Sequence, residues 1–309
     1  PWLKPIWQAT DYACGRRLEV MLPEWIPAYE QHERKLPSEV KDKLLLASAR
    51  TLDRLLQPLR AGGAGRSLTR PGTLLRHQIP IRGSMWEEGQ AGWLEVDTVA
   101  LCGGSTAGEF VWMIDGVDYA TTWVEVRAMW GRGQAATLEA LRDLEASLPF
   151  ALLGLDSDNG GEFLNHHVLH WLQKRPRPVF MTRSRPYKKD DNAHIEQKNW
   201  THVRKLLGYV RYDSPDAAAA INTLYDDLRL LQHLFLPSAK LIEKRRVGAR
   251  IRRRYDAPRT PLERVEACAE VDRAKLRVLQ QLRRQQDPIA LAARIDQQLA
   301  QVYRLANQR

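Results

Sequence analysis

The sequence predicts an α/β protein whose main domain contains a mixed sheet. Three β-rich runs follow one another between Trp93 and Met129, and from Gln134 onward helical and strand-like segments alternate. Consecutive strands joined by short turns indicate antiparallel pairing, whereas alternating helices and strands favour parallel pairing. The chain has 309 residues, more than the ~100 to 200 of a usual single domain, so we expect further domains on both sides.

The central domain is predicted to span residues 91–236. Its expected elements are, in order, strands Trp93–Leu101, Glu109–Ile114 and Thr121–Met129, helix Gln134–Leu148, a strand ending at Asp158, helix Glu162–Lys174, strand Val179–Thr182 and a helix from about 192 to 209. That element order predicts a ribonuclease-H-like core, a mixed sheet with flanking helices. The turn-like piece Asp115–Tyr119 places Asp115 and Asp118 in a loop.

Residues 1–62 are predicted to form a helical region that contains a helix-turn-helix. Ser38–Ala47 and Ala49–Arg60 are amphipathic and meet at Ser48. In a helix-turn-helix the second helix would direct Arg50, Thr51 and Arg54 toward a DNA groove. Two ordinary packed helices explain the same pattern equally well.

Residues 63–90 are rich in glycine and contain prolines and arginines, which indicates an extended linker. Such a segment lies along a DNA backbone or acts as a solvated tether.

Positive charge is concentrated in the predicted carboxyl-terminal domain, 237–309. The chain carries a formal charge of +10, and Lys240–Arg264 holds ten basic against three acidic residues, a net of +7. The window alternates enough to predict short strands of a small barrel-like element, followed by a capping box, Thr260–Glu263, that begins a long polar helix. We expect phosphate contacts from this window, at Lys244, Arg245, Arg246, Arg250, Arg252 and Arg253.

The composition excludes several protein classes. Three widely spaced cysteines provide neither a disulfide framework nor a cysteine-based zinc module, and they fit a reducing cytoplasm. No apolar run approaches the ~18 residues of a membrane span, and no signal peptide opens the chain, so we expect no membrane segment. The chain begins with Pro1, so we expect natural residues before it.

Three carboxylates from separate elements form the candidate chemical site. Asp97 lies in a strand otherwise suited to burial, Asp158 ends another strand just before Asn159 and Gly160, and Glu196 lies at the margin of a helix's apolar face. A buried aspartate needs a partner or a metal, unless Glu95 and Asp97 share a solvated strand face.

Three such carboxylates would bind two hard divalent cations, Mg²⁺ or Mn²⁺, through oxygen. Two ions ~3.5 to 4 Å apart can activate an attacking hydroxyl and stabilise a leaving oxygen at phosphorus. The residues alone leave open whether Asp156, two positions before Asp158 on the same strand face, shares the metal.

The motifs around these residues resemble the integrase-like core of bacterial insertion-sequence transposases, which are DDE enzymes related in fold to retroviral integrases. The similarity lies in Asp156–Phe163, Thr182–Lys189 and Asn192–Asn199, and it extends to Ser48–Leu56 and Lys244–Gly248 in the flanks. By motif position, Asp97, Asp158 and Glu196 look like the first, second and third catalytic acids. The chain lacks the His-His-Cys-Cys module of retroviral integrases, so the resemblance implies a helix-turn-helix in front.

The resemblance implies a transposase that binds terminal inverted repeats of double-stranded DNA, cleaves hydrolytically to leave a 3′-hydroxyl and joins it to target DNA. It also implies a homo-oligomer, at least a dimer on paired ends, associated with the bacterial nucleoid. The alternatives are a ribonuclease-H-like nuclease that cuts without joining, and an inactive DNA-binding regulator.

A basic loop before Glu196 is a further candidate for DNA contact because it adjoins the predicted metal site. Phosphates would meet its cations, and Tyr187 would stack on a base. The predicted contacts are Arg183, Arg185, Tyr187, Lys188, Lys189, Lys198 and Arg204. His166, His167 and His170 are interpreted as surface and packing residues rather than metal ligands.

Overall fold

The computed structural model describes residues 2–59, 90–157, 163, 165–183, 199–247 and 250–307. In this part of the chain, a helical region precedes a mixed sheet, and a β-hairpin and further helices follow it. Among these residues, no helix combines the length and apolar character needed to cross a membrane.

The front region packs short helices around one long helix. The helices are α1 Leu3–Ala9, α2 Gly15–His32, α3 Ser38–Leu45 and α4 Ala49–Leu56. The apolar stripe of α2 buries Leu18, Leu22, Trp25 and Ile26, because residues three and four apart share a helix face. Burial of this stripe joins the short helices into one core.

The first residue of α2 sits directly against α4. The Gly15 N–H donates to Asp53 Oδ1 at 2.9 Å. A Cβ at Gly15 would lie only 1.9 Å from the Ala49 carbonyl oxygen, so a larger residue would push α4 away. Glycine therefore fixes the close approach of these two helices.

Helices α3 and α4 match the predicted pair, with earlier ends. Ser48 lies between the two helices, as predicted, and caps α4 by accepting the Thr51 N–H. The second helix ends at Leu56 instead of Arg60, and Gln57–Leu59 is a 3₁₀ turn. Pro58 explains the difference because it lacks an N–H and its ring clashes with the preceding helical turn.

The central domain contains a five-stranded sheet in the described chain. Its strands are β1 Trp93–Ala100, β2 Val111–Asp118, β3 Val124–Trp130, β4 Gly154–Ser157 and β5 Phe180–Arg183. Their spatial order is β3-β2-β1-β4-β5. The first three strands are antiparallel neighbours, whereas β4 runs parallel to β1 and β5 parallel to β4.

Two helices connect the parallel strands. They are α5 Gln134–Ser147, between β3 and β4, and α6 His166–Gln173, between β4 and β5. The sheet order, strand directions and crossover helices are those of a ribonuclease-H-like fold, so the predicted fold class is confirmed.

One predicted boundary was wrong in a way that matters for the site. Strand β2 continues to Asp118 instead of ending at Ile114, so Asp115 and Asp118 are buried strand residues and not loop residues. Asp118 accepts hydrogen bonds from Gly92 and from Thr121, which ties the β2–β3 turn to the start of β1.

A long helix covers the free edge of β3. The chain past β5 contains a π-helical segment, Asn199–Arg204, one α-helical turn, α7 Lys205–Leu207, and then α8 Pro215–Phe235. From α8, Asn222 bonds to the N–H and carbonyl of Ala128, and His233 contacts the same two groups of Val124. These side chains satisfy edge groups that would otherwise pair with another strand.

The carboxyl-terminal region is a hairpin followed by helices. The elements are β6 Leu241–Val247, β7 Arg250–Tyr255, α9 Pro261–Glu266, α10 Arg273–Gln285 and α11 Pro288–Arg304. The strands form an antiparallel two-stranded sheet. The predicted capping box is present at α9, but the predicted long helix is divided, because Asp272 caps a new helix at Arg273.

We expect Gly15→Ala to lower the free energy of unfolding by about 1–3 kcal/mol, because the added methyl group has no space beside α4. Chemical denaturation followed by circular dichroism measures this change. Gly104→Ala is the matched control, since a Cβ there meets nothing within 4 Å. Equal stability of the two variants would contradict the close packing of α2 on α4.

Candidate active site

Asp97 lies in the middle of the central strand β1. Side chains alternate along a strand, so Glu95, Asp97 and Val99 share one face. Glu95 is 2% exposed and Val99 is 6% exposed, whereas Asp97 is half-buried. This face is therefore packed, which removes the alternative of a solvated strand face.

Described residues donate two hydrogen bonds to the Asp97 carboxylate. Oδ1 accepts the N–H of Thr98 at 2.7 Å, and Oδ2 accepts the side-chain amide of Asn199 at 2.6 Å. Asn199 opens the π-helical segment, a rare geometry that occurs often at functional sites. The π-helical segment, which follows Glu196 in sequence, is thus attached to β1, the strand that carries Asp97.

A second carboxylate stands beside Asp97 on the neighbouring strand. The register of β1 and β2 pairs Asp97 with Asp115, so both side chains point to the same face. Asp115 is completely buried. Burial of the Tyr225 hydroxyl raises the pKa of that group well above its ordinary value, and the charge of Asp115 raises it further. Like charges in directly opposite positions repel, so this pair favours a bound cation or a shared proton.

Sequence reasoning missed Asp115 because Asp115 and Gly116 together form a common turn signal. In the structure Gly116 has a different purpose. A Cβ there would lie 3.0 Å from Leu144 of α5, so glycine allows the helix to pack on the sheet. The return of an apolar β-branched residue at Val117, after the apolar run Val111–Ile114, was the signal that could have extended the strand.

Strand β4 brings the chain to the side of Asp97. Its last residue, Ser157, pairs with Val96, the residue before Asp97. Asp156 is 1% exposed and pairs in register with Glu95, and its Oδ1 accepts the hydroxyl of Thr182 on β5. The Asp156 carboxylate therefore has a partner on the side away from β1.

Several of the predicted residues lie outside the described part of the chain. These are Asp158, Glu196, Arg185, Tyr187, Lys188, Lys189 and Lys198. The side chains of Arg183, Lys244 and Arg250 are also outside it, although their backbones form strand residues. Their roles stay predictions.

The predicted groove-facing residues of α4 differ in exposure. Arg50 and Arg54 are exposed, whereas Thr51 is half-buried and uses its N–H and hydroxyl to contact Ser48. The two arginines can therefore reach a ligand outside the chain, and Thr51 contributes to the cap of its own helix.

Arg204 has an internal role in the described structure. Its guanidinium donates to the carbonyl of Ala100 at 2.8 Å and lies 4.8 Å from the centre of the Tyr209 ring. Burial lowers the pKa of this guanidinium. Arg204 thus ties the π-helical segment to the end of β1, and the predicted DNA contact stays untested.

The hairpin carries exposed arginines on both faces. Arg245 and Arg252 are directly opposite, while Arg246 and Arg253, their neighbours along the strands, point to the other face. Arg254 forms an ion pair with Glu243 at 3.2 Å. Like charges opposite each other destabilise a hairpin, so a polyanion is a favourable partner for it.

Among the described residues, no cluster of three or more histidine, cysteine, aspartate or glutamate side chains has the arrangement to hold a metal ion. His166, His167 and His170 all lie on α6, as predicted.

The strand order together with the carboxylate in the central strand defines the class: this is a ribonuclease-H-like α/β protein. No family model matches the chain. The uncharacterized protein y4rM of Sinorhizobium fredii (strain NBRC 101917 / NGR234) is 41% identical over 266 residues, which cover 85% of this chain and 75% of that protein. The chain belongs to the same family as y4rM.

A solved structure also matches the chain. The match is to the crystal structure of the catalytic core domain of BIV integrase, and it covers 56% of this chain and 91% of the integrase chain. The sequence identity is 16% and the TM-score is 0.33.

We expect Asp115→Asn to raise the free energy of unfolding by about 0.2–1 kcal/mol when no divalent ion is present, because it removes the repulsion with Asp97. Denaturation in EDTA measures this change. Asp42→Asn, at an exposed carboxylate on α3, is the control and should leave stability within about 0.5 kcal/mol. A less stable Asp115→Asn protein would show that the two carboxylates do not repel.

Proposed function

We propose that this chain is a DNA transposase of the DDE type, which cleaves transposon ends and joins them to target DNA. The observation that carries the proposal is the half-buried Asp97 carboxylate in the central strand of a ribonuclease-H-like sheet, held by Asn199 and paired with Asp115. Two carboxylates facing each other in a packed sheet repel, so such a cluster favours a chemical role over a structural one.

Asp158 and Glu196 would complete the acidic site. Asp158 directly follows Ser157, whose partner Val96 is next to Asp97 in β1. Glu196 is three residues before Asn199, which donates to Asp97. The described neighbours of both residues therefore support their convergence on Asp97, as the transposase motif implies.

The donor chemistry fits a hard divalent cation. Asp97 and Asp115 offer carboxylate oxygens, which Mg²⁺ and Mn²⁺ prefer over nitrogen or sulfur. Asp97, with Asp158 and Glu196, would hold the two ions. When bound, such ions lower the pKa of water and stabilise the charge that develops on the scissile phosphate.

The chain's own residues would orient the metal-binding carboxylate. The Thr98 N–H and the Asn199 amide each bond to one oxygen of Asp97, so the carboxylate cannot rotate freely. A fixed carboxylate lowers the reorganisation that the reaction requires.

Both reaction steps are displacements at phosphorus. In cleavage, the oxygen of water bonds to phosphorus, the bond from phosphorus to the 3′ oxygen breaks, and that oxygen leaves as a 3′-hydroxyl. In joining, this 3′-hydroxyl attacks a target phosphorus, and the 3′ oxygen of the target strand leaves. Neither step needs a covalent enzyme intermediate.

The arginine-rich hairpin supports DNA as the substrate. A two-stranded ribbon fits the major groove, which is about 12 Å wide. Exposed arginines on both faces of β6 and β7 would then meet the phosphates on both sides of that groove. We infer that this hairpin supplies affinity, while α4, as the second helix of a helix-turn-helix, reads the terminal repeat with Arg50 and Arg54.

Joining two ends requires at least two copies of the chain, so we expect a dimer or larger assembly on DNA.

We expect Asp97→Asn, Asp158→Asn and Glu196→Gln each to reduce cleavage and joining by at least about 10³-fold, because each removes a charged ligand from the metal site. Binding to end DNA should change less than about threefold, since these residues do not contribute to the affinity of the basic surfaces. Cleavage of labelled ends in Mg²⁺, and joining of a pre-cut end to a plasmid, measure the two steps.

Asp156→Asn is the matched control, because this buried carboxylate bonds to Thr182 and we expect most of the joining activity to persist. Near-normal joining by Asp97→Asn would exclude the proposed site. Cleavage without joining by the unaltered protein would identify a nuclease, and DNA binding without metal-dependent cleavage would identify a regulator.

A further inference from the structure

A cavity of about 430 Å³ lies where the front helices, the sheet domain and the hairpin meet. Arg16 and Arg17 line it from the start of α2, Lys205 from α7 and Tyr255 from the end of β7. The candidate acidic site does not include any of these residues. This cavity therefore offers a second place for a ligand.

Arg17 gives the cavity an unusual charge. Its Nε is buried and has no hydrogen-bond partner among the described residues. Asp11 acts on its guanidinium electrostatically but forms no ion pair with it. Burial lowers the pKa of Arg17, but a guanidinium keeps its proton in proteins. Buried charges in folded proteins are paired or bound to ligands, so an anion is the expected occupant.

The cavity lining offsets this charge only in part. Its one carboxylate among the described residues, Asp11, is occupied by Lys205, with 2.6 Å between Oδ1 and Nζ. The Arg16 guanidinium donates only to the neutral carbonyls of Tyr255 and Asp256. The excess of cations favours an anion such as phosphate.

The space and the aromatic residues favour more than a phosphate alone. Tyr12 and Tyr255 line the cavity and are 52% and 40% exposed. Exposed rings of this kind stack on nucleobases. The volume also exceeds what a phosphate group would fill.

We propose that this cavity binds one nucleotide, with its phosphate at Arg17 and its base against Tyr12 or Tyr255. The cavity lies near the candidate acidic site, and this position indicates where the bound nucleotide comes from. Lys205 lies six residues from Asn199, roughly 9 Å along a helix, and Asn199 contacts Asp97. We infer that the ligand is an unpaired nucleotide of the DNA strand. Only this identification of the ligand rests on the proposed function.

The first experiment uses free ligands and the full chain at constant ionic strength. Deoxyadenosine monophosphate and inorganic phosphate should raise the Tm of the unaltered protein, and deoxyadenosine should raise it less. Arg17→Gln should weaken monophosphate binding by at least about tenfold, because it removes a charged hydrogen bond. Arg284→Gln, at an exposed arginine on α10, removes the same charge and should leave binding unchanged.

A second readout separates ligand binding from a structural role. Without ligand, Arg17→Gln should melt at the same temperature as the unaltered protein or higher, because it removes a guanidinium that is desolvated and has no ion pair with a described residue. A purely structural arginine would lower the Tm instead. That result, or the absence of any phosphate-dependent rise in the unaltered protein, would overturn the nucleotide site.

The DNA source is tested in the Asp97→Asn background, where the substrate stays uncut. A duplex with a single-stranded overhang should bind at least about tenfold more weakly after Arg17→Gln, while a blunt duplex should not. Loss of monophosphate binding with unchanged overhang binding would support the site but identify a free nucleotide as its source. These readouts are independent of cleavage and joining, so failure of the transposase proposal would not obscure them.

Discussion

The hydrogen bond between Asn199 and Asp97 is the interaction on which the candidate site depends. It attaches the π-helical segment to the central strand, and Arg204 reinforces the same connection by donating to Ala100. A carboxylate oxygen accepts more than one hydrogen bond or metal contact, so a contact that positions Asp97 is compatible with cation binding. The sheet provides rigidity and the helical segment provides the orientation.

The rest of the fold protects this arrangement. The Asn222 and His233 side chains of α8 bond to the outer edge of β3, which protects this edge from pairing with another strand. Buried Asp118 connects the β2–β3 turn to the start of β1. Asn222, His233 and Asp118 thus bond to the backbone of the sheet. Asp97 and Asp115, which share one face, are a separate set of polar residues.

The sequence predicted the elements better than it predicted their polar contacts. Alternating apolar residues located β1 and β3, and the amphipathic pattern after Ser48 located the start of α4, because both signals are local. The end of β2 depended on Leu144, a distant residue that needs the space beside Gly116, so local turn chemistry gave the wrong answer. The cation-rich cavity was equally invisible, since its lining comes from three regions of the chain.

The proposed transposase chemistry requires Asp97 to bind a divalent ion together with Asp158 and Glu196. Anomalous scattering from crystals grown with Mn²⁺ would locate that ion. We expect a manganese peak about 2 Å from an Asp97 carboxylate oxygen, shared with both other acids and absent from Asp97→Asn crystals. Manganese bound elsewhere, with no peak at Asp97, would exclude this metal site.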